Sequence, residues 1–438
     1  MYRCLHSTGG KRAGKCIIQG CVGAVMSSTV IQCGTLIDGI ADEPIRDARV
    51  VVEDGTIRKV GPSESVSVPD EADRIDHSNH AVTPGFLDCH VHLNGTRSFQ
   101  PMERIEKSLP YKAALGGADL RQLLRAGFTT VRDVGGSTAI GLRNAVEDDE
   151  IPGPRIYAAG RAISRSGGHA DMNQLPTHWA GDEDRMLGVQ ADGVAECRKK
   201  ARQELRSGAD LIKITITGGM ASKGTIPDQV HYTDAETQVF AEEAHAVGTH
   251  AAAHAYGTAG VNAAIRNGID TIEHAIGFGE RGEGVDLAHE YGAVVVPTLS
   301  AIYRLAYEGD EHGLPEFHVR KGREYVDKHA DSVTRAYEAD VPVALGTDCN
   351  GSYLHPHGDN AIEFELLVEQ AGMDEMDALK AGTSVAADAI QAEDVGAVEP
   401  GRQADLVALD EDPLADISAT RDAVAAVYKA GERVDDRI

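Results

Sequence analysis

The stretch Thr83-Pro84-Gly85-Phe86-Leu87-Asp88-Cys89-His90-Val91-His92 decides the fold. It reads as an apolar β-strand that ends in two histidines one residue apart. Alternate residues on a strand share a face, so His90 and His92 point the same way and can chelate one cation through their imidazole nitrogens. Two packed core histidines are the competing explanation, and the strands that follow weigh against it.

From that strand outward, the centre of the chain repeats strand, glycine loop and amphipathic helix. Strands are predicted at Ala81–His92, Thr129–Val134, Ile156–Ile163, Leu211–Thr217, Thr249–Ala253, Thr271–His274, Ala293–Thr298 and Pro342–Thr347. Helices are predicted between them, among them Asp192–Ser207, Thr233–Val247, Ala259–Asn267 and Val319–Ala339. Eight strands alternating with helices over about 300 residues match an α/β fold, the (β/α)8 TIM barrel, whose chemistry sits at the C-terminal strand ends.

Those ends carry a consistent set of side chains. In Leu211-Ile212-Lys213-Ile214-Thr215-Ile216-Thr217 the isoleucines take one face, so Lys213 points into the barrel. A buried ammonium without a partner tends to lose its proton. The neutral amine can then combine with carbon dioxide as a carbamate whose two oxygens bridge a pair of metal ions; a lysine paired with a carboxylate is the alternative. His254 ends the fifth strand before Tyr256-Gly257, and His274 holds the equivalent place one unit later. His250 shares the parity of His254 but lies deeper and reads as packing, while His245 belongs to a helix and reads as solvent-facing. Asp348 closes the eighth strand, where it can ligate a metal and accept a proton from water, or simply cap the next helix.

Both flanks of this centre have another texture. Short strands at Thr29–Cys33, Ala48–Glu53, Thr56–Val60 and Asp73–His77 precede it, with Asp54-Gly55 as a hairpin turn. Ala404–Asp410 and Ala423–Lys429 follow it. The expected organisation is a disordered extension over 1–28 with Met26 as the true start, a small β-sandwich built from residues 29–83 and 393–438, and a barrel over 84–392.

The chain has 438 residues, enough for one large domain with an appendage, and 42 Lys and Arg against 69 Asp and Glu give a net charge of −27. Such a surface repels polyanions and anionic lipid, so nucleic-acid and membrane partners are not expected. Arg outnumbers Lys about two to one, and Glu147-Asp148-Asp149-Glu150 and Asp182-Glu183-Asp184 are acidic runs. A halophilic source and an ordinary acidic cytosolic enzyme both fit. Seven cysteines without paired spacing argue against a disulfide framework and for a reducing, cytoplasmic setting.

The chain resembles the amidohydrolase superfamily of metal-dependent hydrolases, in particular its imidazolonepropionase-like and Xaa-Pro-dipeptidase-like branch. The resemblance runs from about Val30 to Val434 and rests on Pro84-Gly85-Phe86-Leu87-Asp88 leading into His90-Val91-His92, and on Ala126-Gly127-Phe128-Thr129-Thr130-Val131-Arg132-Asp133. Lys213 before Gly218-Gly219, His254-Ala255-Tyr256-Gly257 and the tail Gly396-Ala397-Val398-Glu399-Pro400-Gly401-Arg402-Gln403-Ala404-Asp405-Leu406-Val407 complete it. It implies that His90, His92 and Asp348 hold one divalent ion, that His254 and His274 hold another, and that carbamylated Lys213 bridges them. Zinc is the default, with manganese or iron also suited to such donors. It further implies that Asp348 carries protons during hydrolysis and that His169, in Ser166-Gly167-Gly168-His169, stands near the substrate. Tyr256 occupies a position where the related pattern usually has histidine.

His231, Tyr232, His355 and His357 are further candidates for the pocket lining, and Arg132 and Tyr303 for a substrate carboxylate. The leading function is cleavage of an amide C–N bond in a small molecule, a dipeptide or N-acyl amino acid. Cyclic-amide hydrolysis of the imidazolonepropionase type is the alternative among enzymes, and a catalytically silent scaffold on the same fold the alternative outside them. A homo-oligomer is the only protein partner expected.

Overall fold

The computed structural model describes residues 28–98, 101–171, 176, 188–220, 222, 224–280 and 282–436. Most of the expected N-terminal extension and the acidic run Asp182-Glu183-Asp184 lie outside the described residues.

Among the described residues, four strands come first: β1 (Ser28–Leu36), β2 (Ile45–Glu53), β3 (Thr56–Pro62) and β4 (Asp73–Pro84). Nine follow in the centre: β5 (Phe86–Val91), β6 (Phe128–Asp133), β7 (Arg155–Ala158), β8 (Ala162–Ser164), β9 (Gly188–Gln190), β10 (Ile212–Thr215), β11 (Ala251–Tyr256), β12 (Thr271–Ile276) and β13 (Val294–Val296). Three close it: β14 (Leu406–Leu409), β15 (Val424–Lys429) and β16 (Glu432–Arg433).

The two ends do combine, but as one mixed sheet of seven strands in the order β16-β15-β14-β4-β1-β2-β3. Asp54 and Gly55 both have positive φ, 48° and 74°, the backbone that lets a two-residue turn follow the twist of β2 and β3. The free end of that hairpin returns to the C-terminal segment, where Ile57 N donates to Arg402 O and Ala404 N to Gly55 O. This return curls the sheet around its own core of Ile31, Val50, Val52, Ile57, Leu406, Ala408 and Tyr428, where two separate layers were expected.

The expected first barrel strand is divided. Residues 81–84 pair with β14 in the end sheet, and only β5 joins the central strands. Gly85 makes the transition, its N–H donated to Asp405 O, and a Cβ there would run into Thr129. The third strand is likewise broken into β7, paired with β6, and β8, paired with β10, because Gly160 between them has φ +69°. The eighth stretch makes only isolated bridges, Val295–Val343 and Val91–Cys349, and one of its amides turns away from its neighbours: Leu345 N donates to Ala381 O, next to Gly382 O, which accepts from Leu87 N of β5.

All the central pairings are parallel. Ladders join β5-β6-β7 and β8-β10-β11-β12-β13, and residues 341–349 connect β13 back to β5 through Ala344 N to Val295 O and Cys89 N to Leu345 O, both 2.9 Å. The strands therefore close into a ring. Ile212, Ile214 and Ile216 enter the core shared with the helices, and the alternation turns Lys213 to the inside. The helices keep close to their expected bounds, as with Asp234–His245, which starts at a reciprocal Thr233–Glu236 capping box.

Within the end sheet, Tyr428 of β15 reaches across β14 to His77, 2.8 Å from its Nε2, and His77 Nδ1 lies 3.2 Å from His80 Nδ1. Burial, His80 and Arg433 lower the His77 pKa against the opposing pull of Asp76. The unfolded chain binds this proton near the ordinary histidine pKa, about 6.5, while the folded chain resists it, so stability falls as pH drops below that value. Urea unfolding at pH 7.5 and 5.5 should show a smaller pH difference in His77→Gln than in the wild type; an equal difference refutes the contribution.

Candidate metal centre

Five strand ends converge at the C-terminal mouth of the ring. β5 supplies His90 and the residue after it His92, β10 supplies Lys213, β11 His254, β12 His274, and the segment bridging β13 to β5 supplies Asp348. Alternation explains His90, Lys213 and His254. It does not explain His274, because Thr271 and Glu273 already occupy the inward positions of β12, where the Thr271 hydroxyl donates to Glu273 Oε1. His274 reaches the centre only because its backbone turns left-handed, φ +67°. Thr298 and Asp348, at the next two tips, are left-handed as well, at +58° and +62°. Such strain in non-glycine residues costs on the order of 1–3 kcal/mol each and collects at functional sites.

Each histidine is anchored by one nitrogen, which leaves the other for the centre. His90 Nδ1 lies 2.6 Å from Glu273 Oε2, and His274 Nδ1 2.6 Å from Thr298 Oγ1. His92 Nδ1 donates to Gly135 O at 2.8 Å and His254 Nε2 to Gly218 O at 2.7 Å. A metal-ligating histidine is typically held in this way, with the outer N–H fixed and the inner lone pair free. Burial brings the His90 pKa down to about 4 and holds those of His254 and His274 well below the ordinary value, so these three rings are neutral at pH 7. His92 moves the other way: burial lowers its pKa, but Asp348 Oδ1, 3.1 Å from Nε2, more than compensates.

Asp348 Oδ1 is also 3.7 Å from His90 Nε2. Burial pushes its pKa up, yet the His92 hydrogen bond and the nearby His90 outweigh this and keep the carboxylate ionised. One potential ligand atom each from His90, His274 and Asp348 lies within 4.8 Å of the others. Lys213 Nζ is buried there without a hydrogen-bond partner, and burial lowers its pKa to about 8. A lone ammonium is a poor occupant of such a place. The neutral imidazoles of His90, His254 and His274, an ionised carboxylate and an unsatisfied lysine nitrogen together fit a divalent cation.

The substrate side is also partly visible. His169 stacks on His254 with ring centroids 4.3 Å apart and planes 18° from parallel, and Tyr256 packs its ring 4.5 Å from His254 and 5.1 Å from His274. His231, His355 and His357 are buried. His231 lies near His169 and Arg165; His355 Nε2 bonds Ser300 O and His357 Nε2 bonds His92 O. Tyr232 turns its hydroxyl to Ala191 O. Arg132 is no ligand for a substrate carboxylate: it is fully buried, 2.8 Å from Glu273 Oε1, with its Nε donated to Cys89 O. His250 packs beside it, 3.2 Å away, and His245 is half exposed against Asp270, both as expected.

Sequence reasoning passed over Glu273, Thr298 and Asp88. Asp88 accepts from Thr347 Oγ1 and Asn360 Nδ2, both at 2.7 Å, and from His90 N, so it fastens the first strand end to the last. Glu273 was detectable as the inward-parity neighbour of His274. The roles of Thr298 and Asp88 depend on contacts between strands far apart in sequence. Removing one partner of a buried ion pair costs about 3–5 kcal/mol, so Arg132→Met should lower the denaturant midpoint steeply; a midpoint within error of wild type contradicts the pairing.

Residues 81–434 match the model of the Amidohydrolase family. The chain is 33% identical over 430 residues to ochratoxinase from Aspergillus niger, covering 92% of this chain and 86% of that protein. Among solved structures it is similar to a Xaa-Pro dipeptidase with bound methionine in the active site (TM-score 0.83, 34% identity, 93% of this chain and 99% of that one). It is similar also to a prolidase complexed with N-methylphosphonate-L-proline (TM-score 0.85, 32% identity, 93% and 99%).

Proposed function

Because the chain belongs to the Amidohydrolase family and so is a hydrolase acting on C–N bonds, we propose that it cleaves the amide bond of a dipeptide or N-acyl amino acid with the aid of two divalent ions. The observation that carries this is the matched anchoring of four histidines around Asp348 and the unsatisfied Lys213 nitrogen. His90, His92 and Asp348 would hold one ion and His254 and His274 the other, in a (β/α)8 barrel over residues 84–392. Lys213, once deprotonated, would add to carbon dioxide and release a proton, placing a carbamate between the two ions. When bound, zinc or a similar ion acidifies water and polarises the scissile carbonyl.

The chain's own groups do the rest. Asp348, ionised and at the rim of the ring, takes a proton from the attacking water and returns it to the leaving amine. Tyr256 and His169 line the approach to this carboxylate and orient the amide, and His231 supports His169. Glu273 and Thr298 keep His90 and His274 in one orientation throughout. The prolidase and dipeptidase relatives support a substrate carrying a free carboxylate next to the amide nitrogen.

Purified protein should contain about two equivalents of metal, and chelation should abolish hydrolysis that added metal restores. Full activity of the metal-free protein overturns the proposal. Asp348→Asn should lower kcat by about 10²–10⁴-fold, and Lys213→Ala should lose both metal and activity. A panel of dipeptides, N-acyl amino acids and cyclic amides identifies the substrate, and turnover of the cyclic amides alone favours the imidazolonepropionase-type reaction instead.

A further inference from the structure

The backbone after β10 supports two rings of the centre at once. Gly218 O receives His254 Nε2–H, and Ser222 Oγ lies 2.9 Å from His169 Nδ1. Gly219 lies flat against the His169 ring, so that a Cβ at this position would overlap the imidazole. His169 is thereby sandwiched between this backbone and His254, on which it stacks.

The backbone in turn is held by one helix. From Glu316–Glu338, Lys321 Nζ donates to three carbonyls of the loop, Gly219 O at 2.9 Å, Ser222 O at 3.0 Å and Thr225 O at 3.2 Å. These use all three ammonium protons on neutral acceptors. One turn further along the same helix face, the Tyr325 hydroxyl bonds Asp228. Met220 packs with Tyr325, Val326 and Tyr256 between the two attachments. A cation committed to three main-chain oxygens, with no carboxylate among them, contributes shape to the loop rather than charge balance.

We infer that Lys321 is a positioning residue for amide hydrolysis, fixing the main chain at Gly219, Ser222 and Thr225 so that Gly219 and Ser222 set His169 against His254 beside the substrate. This rests on the reading of His169 as a substrate contact. Lys321 touches no reacting atom; it acts through His169, and its effect depends on that ring being present.

A double-mutant cycle tests this on the metal-loaded enzyme. Lys321→Met should lower kcat/KM by about tenfold or more in the wild-type background, mainly through KM, and by less than about twofold when His169 is already alanine. Lys321→Arg, which retains N–H donors, should recover most of the loss, and Gly219→Ala should reproduce it by displacing the ring. Metal content should stay unchanged in all of these variants. Equal losses in both backgrounds, or a fall in metal content that accounts for the loss, overturn the inference. If Lys321→Met does not fold, Gly219→Ala and Ser222→Ala decide by the same cycle against His169→Ala, and additive losses again refute it. Failure of the underlying reading looks different: His169→Ala alone then leaves kcat/KM unchanged. In that case ¹⁵N-imidazole spectra decide whether Lys321 sets the ring, since the His169 signals must shift in Lys321→Met and return in Lys321→Arg, and unmoved signals refute the positioning.

Discussion

The ion pair between Arg132 and Glu273 is the interaction on which the centre depends. Neither side chain reaches solvent. From β6, Arg132 donates to Cys89 O on β5, to Thr271 Oγ1 and to Glu273 on β12, so one guanidinium ties three strands of the ring below the mouth. Glu273 uses its other oxygen on His90 Nδ1. A charge pair without solvent needs nearly complete hydrogen bonding to be tolerated, and here the second carboxylate oxygen is taken by a candidate ligand. The demand for satisfaction in the interior thus reaches upward and sets the angle of an imidazole.

The mouth shows the complementary pattern. Three successive tips adopt left-handed backbone at His274, Thr298 and Asp348, each paired inside the site or beside it. A rigid floor and strained tips divide the labour: packing and ion pairing below, backbone geometry above. Asp88 joins the two levels by fastening Thr347 and Asn360 to the strand that carries His90.

Much of this was legible in the sequence. Alternation in Leu211–Thr217 put Lys213 inside, and the His-x-His ending of the first strand marked the mouth. What escaped had physical reasons. Parity alone turns His274 outward; a single φ value brings it back, and although histidine is among the residues enriched at positive φ, that preference is too weak to single out one position. Arg132 looked like a free cation beside a substrate because its partner lies 141 residues away on another strand. The end sheet was expected as two layers because its curl follows from main-chain bonds of Ile57 and Ala404, to which side-chain patterns are blind.

The seven-stranded sheet also constrains how the protein comes into being. β14 pairs with β4, yet more than three hundred residues separate them in the chain. At translation rates of about 5–20 residues per second, β4 waits on the order of tens of seconds for its neighbour. During that interval Ala81 and Val82 form an unpaired, apolar sheet edge, the kind of surface that invites association with other nascent chains. The ring of central strands must be made while this edge is open, so β14 serves as the cover that ends this vulnerable period.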